Sequence, residues 1–171
     1  VARVLKDLGA HVRVGGFLGA ENQAPFHALC QEQALEDAFL VVPGATRINV
    51  KLVEQDGRVT DLNFPGVEVD ETGLQHFEQQ LLTLCAGVDY VVLAGSLPRG
   101  VSPQRLQQWL RTLRDAGKRV LFDSSGAALS AGLEARPWLI KPNEHELADW
   151  AGEPLTDSEA LMAAAEALDR K

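Results

Sequence analysis

Tyr90-Val-Val-Leu-Ala-Gly-Ser-Leu-Pro-Arg-Gly100 is the stretch that decides the fold class. Its first five residues are apolar without a break, as expected of a strand covered on both faces in a parallel sheet. Glycines and a proline then end the run. Ser102-Pro103 follows as a helix cap with proline at the first helical position. Leu106, Trp109, Leu110 and Leu113 recur on one face of the helix so begun, and Gly117 stops it. Downstream, the pattern predicts a strand over 119–123, a short helix over 127–135, a strand over 138–141 and a helix over 143–150. Strand and helix in regular alternation mean βαβ units, hence an α/β fold with a parallel sheet.

Upstream, a strand is expected over 11–18, and Asn22 opens a helix that carries Phe26, Leu29 and Cys30 to Leu35. A short strand over 39–42 ends at Pro43-Gly44. Residues 46–53 and 58–63 alternate in polarity around Gln55-Asp56-Gly57, and Asp-Gly there is a strong hairpin signal. An antiparallel excursion inside a βαβ series tends to leave the main sheet. The hairpin at about 45–65 is therefore expected to form a lid or a dimer contact. Asp70 caps a helix bearing Leu74, Phe77, Leu81, Leu84 and Cys85. Both ends read as helix: Val1, Val4, Leu5 and Leu8 share a face, and Thr156-x-x-Glu159 is a capping box ahead of Leu161, Met162, Ala165 and Leu168. The expectation is one partial α/β domain over 1–171, an incomplete fold with both termini inside helices.

The charge balance narrows the partners. Sixteen Lys and Arg against 24 Asp and Glu give a net charge of −8, which argues against nucleic acid or an anionic membrane as the main partner. No apolar run approaches the roughly 20 residues of a membrane helix, and no secretory leader pattern opens the sequence. Cys30 and Cys85 fall on apolar helix faces without metal-ligand spacing and read as reduced core thiols, so a cytoplasmic location is expected.

Several chemistries are excluded by spacing. Gly117-Lys118 is followed by Arg119, so there is no P-loop; His145-Glu146 lacks a second His at 149, so there is no zinc-protease helix. Ala94 stands where a nucleophile elbow at Ser96 would need glycine. Gly15-Gly16-Phe-Leu-Gly19 has the wrong spacing for a dinucleotide loop, and strand-end glycines usually serve turns.

Three motifs remain. In Thr46-Arg47-Ile48-Asn49-Val50-Lys51, a period of two places Arg47, Asn49 and Lys51 on one face. Such a face is either the solvent side of a ribbon or a place to hold a phosphate and sugar hydroxyls. Gly95-Ser96-Leu97-Pro98-Arg99-Gly100 sits at a strand's carboxyl end, where open α/β sheets bind ligands, though a plain turn would need the same glycines. Lys141-Pro142-Asn143-Glu144-His145-Glu146 also joins a strand to a helix. Asn143 and Glu146 fit a capping box, or an amide and a carboxylate beside Mg²⁺ while Lys141 faces nucleotide phosphates.

In this order and spacing, Thr-Arg-Ile-Asn-Val-Lys, Gly-Ser-Leu-Pro-x-Gly, Asp123-Ser-Ser-Gly126 and Lys-Pro-Asn-x-x-Glu resemble the ribokinase-like sugar kinases, the PfkB family. The similarity covers essentially all 171 residues. It implies a ribokinase-like βαβ core with a parallel sheet and a small hairpin lid. It also implies transfer of the γ-phosphate of ATP to fructose 1-phosphate, giving fructose 1,6-bisphosphate. Acceptance of tagatose 6-phosphate or fructose 6-phosphate is the alternative within the family. A non-catalytic sugar-phosphate-binding or assembly module is the alternative outside it. By the same resemblance Arg47 is the sugar-phosphate ligand, with Asn49 and Ser96 also on the substrate side. Lys141 and Asn143 are nucleotide-side contacts, and Glu146 with Asn143 belongs to the Mg²⁺ environment. Lys51 and Asp123 carry over only weakly.

Two family segments are expected outside this sequence. A Gly-Gly-Lys-Gly-x-Asn substrate loop would precede Val1. The segment with the catalytic base and an anion hole would follow Lys171. Asp123-Ser-Ser-Gly-Ala-Ala-Leu129 imitates that second segment but ends on leucine, which cannot take a proton. The chain alone is therefore expected to be inactive. The apolar hairpin face of Ile48, Val50 and Leu52 is expected to pair with a second copy in a homodimer.

Overall fold

A computed structural model describes residues 1–170. The chain divides into two compact units, one of residues 1–80 with 98–100, the other of 81–97 with 101 onward.

In the first unit β1 (Arg13–Gly19) and β2 (Glu36–Val42) pair in parallel, and α2 (Ala24–Glu32) connects them. Strand β1 begins later than the pattern suggests and β2 three residues earlier. The register explains the second shift: Glu36 lies opposite Arg13, and the Arg13 Nε donates to Glu36 Oε1 at 2.7 Å, which extends the pairing. Gly15 and Gly16 lie within β1 opposite Ala38 and Phe39 and serve no turn. Asn22 does not cap α2; Gln23 occupies that position, and the Asn22 amide is bonded elsewhere. Leu18, Cys30, Val42, Val67, Val69 and Leu74 are the buried apolar residues here. Burial raises the Cys30 thiol pKa, with the Asp37 charge adding to it, as expected of an inert core thiol.

The hairpin stands apart as its own two-stranded sheet, β3 (Asn49–Val53) with β4 (Val59–Asn63). Every residue of both strands is exposed. The strand β3 starts at Asn49, so Arg47 lies in irregular chain just ahead of it and not on the strand face. Helix α1 (Ala2–Asp7) buries no residue, and Val1, Val4, Leu5 and Leu8 are all exposed. Helix α3 (Glu71–Leu84) carries the chain from the first unit into the second, started by Asp70, whose Oδ1 accepts from the Gly73 N–H at 2.8 Å.

The second unit is built on three parallel strands in the order β5 (Tyr90–Ala94), β6 (Arg119–Asp123), β7 (Leu139–Ile140). Helix α4 (Pro103–Asp115) is capped as its sequence predicts: Ser102 Oγ accepts from the Arg105 N–H at 3.1 Å. It buries Leu106, Trp109, Leu110 and Leu113, each worth about 1.5–3 kcal/mol of transfer free energy for the aliphatic side chains. Alternate residues of β6, Val120 and Phe122, are buried as well. Helix α5 (Gly126–Leu133) packs there through Gly132, where an added Cβ would meet the Phe122 ring at 2.2 Å. Helices α6 (Glu144–Ala151) and α7 (Ser158–Asp169) bury Leu147, Ala164 and Leu168 as a smaller cluster. The cap of α7 is Asp157, whose Oδ1 accepts from the Ala160 N–H at 2.8 Å, and not Thr156. An aspartate is the stronger cap of the two.

One expectation fails in this sheet. Strand β5 alternates between exposed and half-buried residues, with Tyr90 and Val92 50% and 41% exposed. Across the register lie Arg119 and Leu121, then Leu139, itself exposed. Arg119 stacks over the Tyr90 and Trp138 rings on this side. The continuous apolar run reads as doubly covered, but the described residues cover one face only. No described helix is long and apolar enough to cross a membrane.

Candidate functional site

Three parallel strands end at one edge, and the second unit's candidates gather there. Pairing of β5 with β6 continues one residue into the loop, where the Gly95 N–H donates to the Asp123 carbonyl at 2.9 Å. The buried Ser124 hydroxyl donates to the Gly95 carbonyl at 3.0 Å. Gly95 has φ +102°, a conformation an L side chain rarely adopts, so glycine is needed at this turn. With Gly95 bonded on both sides, the next residue, Ser96, is presented exposed beyond the strand end.

From the neighbouring strands come Asp123 and Lys141. The Lys141 Nζ lies 3.6 Å from Asp123 Oδ2, and its side chain is 71% exposed. Two residues on, Asn143 opens α6 with a complete capping box. Asn143 Oδ1 accepts from the Glu146 N–H, and Glu146 Oε2 accepts from the Asn143 N–H, both at 2.9 Å. The capping reading of these residues is thus realised. It does not exhaust them, because a carboxylate has about four lone-pair positions and only one oxygen of Glu146 is engaged here.

A divalent cation can be weighed against this donor set. Among the described residues no three His, Cys, Asp or Glu side chains group as a metal site. Magnesium asks for less than a full protein cage: it keeps several waters and takes one or two carboxylates plus substrate phosphates. The open oxygen of Glu146 fits that pattern. Glu144 and Glu146 already put two carboxylates in the first turn of α6. A phosphate drawn to the helix N-terminus would meet their repulsion unless a cation came with it.

The first unit holds the other candidates. Asn49 and Lys51 share a hairpin face, opposite Asn63 and Asp61, and Lys51 Nζ sits 3.4 Å from Asp61 Oδ1. Arg47 is exposed, and its side chain makes no hydrogen bond or ion pair among the described residues. Its neighbour Thr46 is held by Asn22 and Gly19. On the outgoing side of the hairpin Arg99 donates from Nε and Nη2 to the Gly66 carbonyl at 3.3 and 3.2 Å. In the sequence Asn22 looks like a helix cap and Arg99 like the variable position of its motif. Each acts on a residue distant in sequence, so no local spacing could reveal it. A cleft of about 490 Å³ lined by Ser130, Leu133, Glu134, Arg136 and Trp150 contains none of the candidates.

Known proteins share this architecture. The family description that matches the chain is pfkB family carbohydrate kinase, over residues 1–171. The chain is 54% identical over 171 residues to the 1-phosphofructokinase of Vibrio cholerae, covering all of this chain and 54% of that protein. It is 49% identical over 168 residues to the 1-phosphofructokinase of Escherichia coli K12, covering 98% of this chain and again 54% of the relative. The chain thus spans about half the length of the curated relatives it matches. Among solved structures, phosphofructokinase-2 of Escherichia coli in complex with substrates and products superposes with a TM-score of 0.87 at 30% identity, over 98% of this chain and 55% of that one. That enzyme has also been solved as a tetrameric inhibited form.

Proposed function

The chain belongs to the pfkB family of carbohydrate kinases, and on that premise we propose that it is a section of an ATP-dependent sugar-phosphate kinase. The reaction is fructose 1-phosphate plus ATP to fructose 1,6-bisphosphate plus ADP. The observation that carries this reading is the arrival of Ser96, Lys141, Asn143 and Glu146 at one carboxyl edge of three parallel strands, within a chain 54% identical throughout to a 1-phosphofructokinase.

Phosphoryl transfer needs placement of the reactants, neutralisation of the moving charge and a base for the acceptor hydroxyl. On this reading Arg47 holds the sugar's own phosphate, while Asn49 and Ser96 touch the sugar. Lys141 and Asn143 stand on the ATP side. Glu146, with Asn143, orients water around Mg²⁺, which when bound offsets phosphate charge. The base and an anion hole are supplied by a longer chain. The full protein works in the cytoplasm as a homodimer, with the hairpin face of Val50 and Leu52, and Ile48 just ahead of the strand, against the same residues of a second copy. The exposure of those three residues favours that pairing. A second reading, fructose 6-phosphate as acceptor, is favoured by the likeness to phosphofructokinase-2 of Escherichia coli, which has been solved in complex with fructose-6-phosphate.

The test is ADP release by the full-length protein with fructose 1-phosphate, fructose 6-phosphate and tagatose 6-phosphate, each with ATP and Mg²⁺. Preference for fructose 1-phosphate is expected, and preference for either other acceptor overturns the substrate assignment. Residues 1–171 alone should match the blank. Robust turnover by that polypeptide would demand a base within it, and Asp123 would be the first suspect.

A further inference from the structure

Asn22 stands where the sequence suggests a helix cap, yet its side chain faces the residue that precedes Arg47. The Thr46 N–H donates to Asn22 Oδ1 at 2.8 Å, and Asn22 Nδ2 donates to the Thr46 carbonyl at 2.9 Å. One side-chain amide thereby satisfies both backbone groups of one residue, as a paired strand would. A third bond fixes the same residue, from the Gly19 N–H to Thr46 Oγ1 at 2.8 Å. The approach leaves no room for a side chain at Gly19, where an added Cβ would lie 2.4 Å from the Ala45 carbonyl carbon and the Thr46 nitrogen. All three bonds are partly buried, whereas the Arg99 contacts on the outgoing side of the hairpin are exposed. The incoming side is the better shielded of the two anchors.

Past Thr46 the chain changes in kind. Arg47 and Ile48 are irregular and exposed, and the hairpin beyond them buries nothing. A long side chain on such a segment loses much conformational freedom when it grips an anion. Fixing the backbone one residue away removes part of that loss before the ligand arrives.

We infer that Asn22, seconded by Gly19, is a positioning residue that sets the direction of the chain at Thr46 and so presents Arg47 to the phosphate of the sugar substrate. The inference rests on the reading of Arg47 as the sugar-phosphate ligand. It assigns Asn22 an effect on sugar-phosphate binding and none on the ATP side.

The experiment uses the full-length protein. Asn22→Ala should raise the KM for fructose 1-phosphate about tenfold, with the KM for ATP nearly unchanged and the melting temperature modestly lowered, because two partly buried hydrogen bonds are lost. Thr46→Ser, which keeps the hydroxyl, should behave almost as wild type, and Thr46→Val should lose part of the affinity. In an Arg47→Ala background, Asn22→Ala should add little further loss, because a residue that acts through Arg47 has nothing left to position. Full additivity of the two changes, an equal rise in the KM for ATP, or an unchanged sugar-phosphate KM would each overturn the inference. Amide hydrogen exchange at Thr46 gives a readout free of activity: slow in the wild type and fast in Asn22→Ala. Fast exchange in the wild type would remove the clasp itself. A wild-type protein that phosphorylates no sugar phosphate would instead sink the functional reading, and slow Thr46 exchange would still show that the clasp exists.

Discussion

Arg47 and Lys141 are both exposed cations assigned to phosphates, but the protein surrounds them differently. Lys141 faces Asp123 at 3.6 Å, and the residues just after it, Asn143 and Glu146, are tied into a helix cap. Arg47 has no polar partner among the described residues, and the residue before it, Thr46, is held by Asn22. Groups already engaged in the fold do two jobs, so changing them mixes stability with binding. An unengaged group has only its ligand to answer to. Substitutions at the two places should therefore differ in which quantity moves as well as in how far it moves.

The largest effect is expected at Arg47. In the full-length protein Arg47→Ala should lower kcat/KM for fructose 1-phosphate by about 10- to 150-fold, the worth of a charge-assisted contact of roughly 1.5–3 kcal/mol. The loss should fall mainly on the KM for the sugar and largely spare the melting temperature, since no hydrogen bond or ion pair of the side chain is broken. Arg47→Lys should restore part of it, because an ammonium cannot form the bidentate fork. Fructose without its phosphate, a poor substrate, should be nearly indifferent. Equal losses on both sugars would break the comparison by giving Arg47 a structural role in the hairpin.

The cap of α6 comes next. Asn143→Ala removes the acceptor for the Glu146 N–H and should cost about 1 kcal/mol of stability by thermal or denaturant unfolding. Glu146→Gln keeps a side chain that can close the box but removes the charge. It should leave unfolding nearly unchanged while shifting the Mg²⁺ concentration needed for half-maximal turnover upward. A wild-type Mg²⁺ titration with Glu146→Gln would reduce Glu146 to a cap.

These contrasts also mark what the sequence can and cannot disclose. Helix α4 is legible because Ser102, Pro103, four spaced apolar residues and Gly117 are all local signals. The strand end before Lys141 and the capping box of Asn143 and Glu146 are legible for the same reason, lying within one short motif. The clasp on Thr46 is hidden because Asn22 is 24 residues away and imitates a helix cap. The bare face of β5 is hidden because periodicity reports what a side chain prefers, and burial depends on what packs against it. The shift of Arg47 off the strand matters for the same reason: a period of two places residues on a face only where the ladder has formed.

A smaller effect is expected from the first unit's own engaged pair, His27 with Asp37. The His27 hydrogen bond holds the Asp37 carboxyl below its usual range, helped by the Phe39 N–H and opposed by partial burial. A carboxyl whose folded pKa is depressed contributes stability above its unfolded value and loses it as pH falls through the folded one. Asp37→Asn should therefore lower the melting temperature at neutral pH, and its gap to wild type should close on acidification below the ordinary carboxylate range. A gap constant from neutral to strongly acidic pH would show that the carboxylate charge of Asp37 is not what joins α2 to β2.

Smallest of all should be the stability change at Asp123. Its partner Lys141 is mostly exposed, the separation of 3.6 Å is loose, and the Asp123 side chain is itself 41% exposed. Exposed pairs of this kind gain little over water and order a long flexible side chain in return, so their median worth is about 0–1 kcal/mol. Asp123→Asn should then shift unfolding by no more than about 0.5 kcal/mol, and added salt should shrink even that. The backbone bond from the Gly95 N–H to the Asp123 carbonyl survives the change, so Ser96 keeps its place. This makes the substitution a clean probe of the carboxylate alone. A drop well beyond that limit would mean that Lys141 is anchored in the fold after all. Lost turnover in a full-length protein that unfolds as wild type would instead place the Asp123 carboxylate among the groups that act on the nucleotide, with Lys141 its partner there.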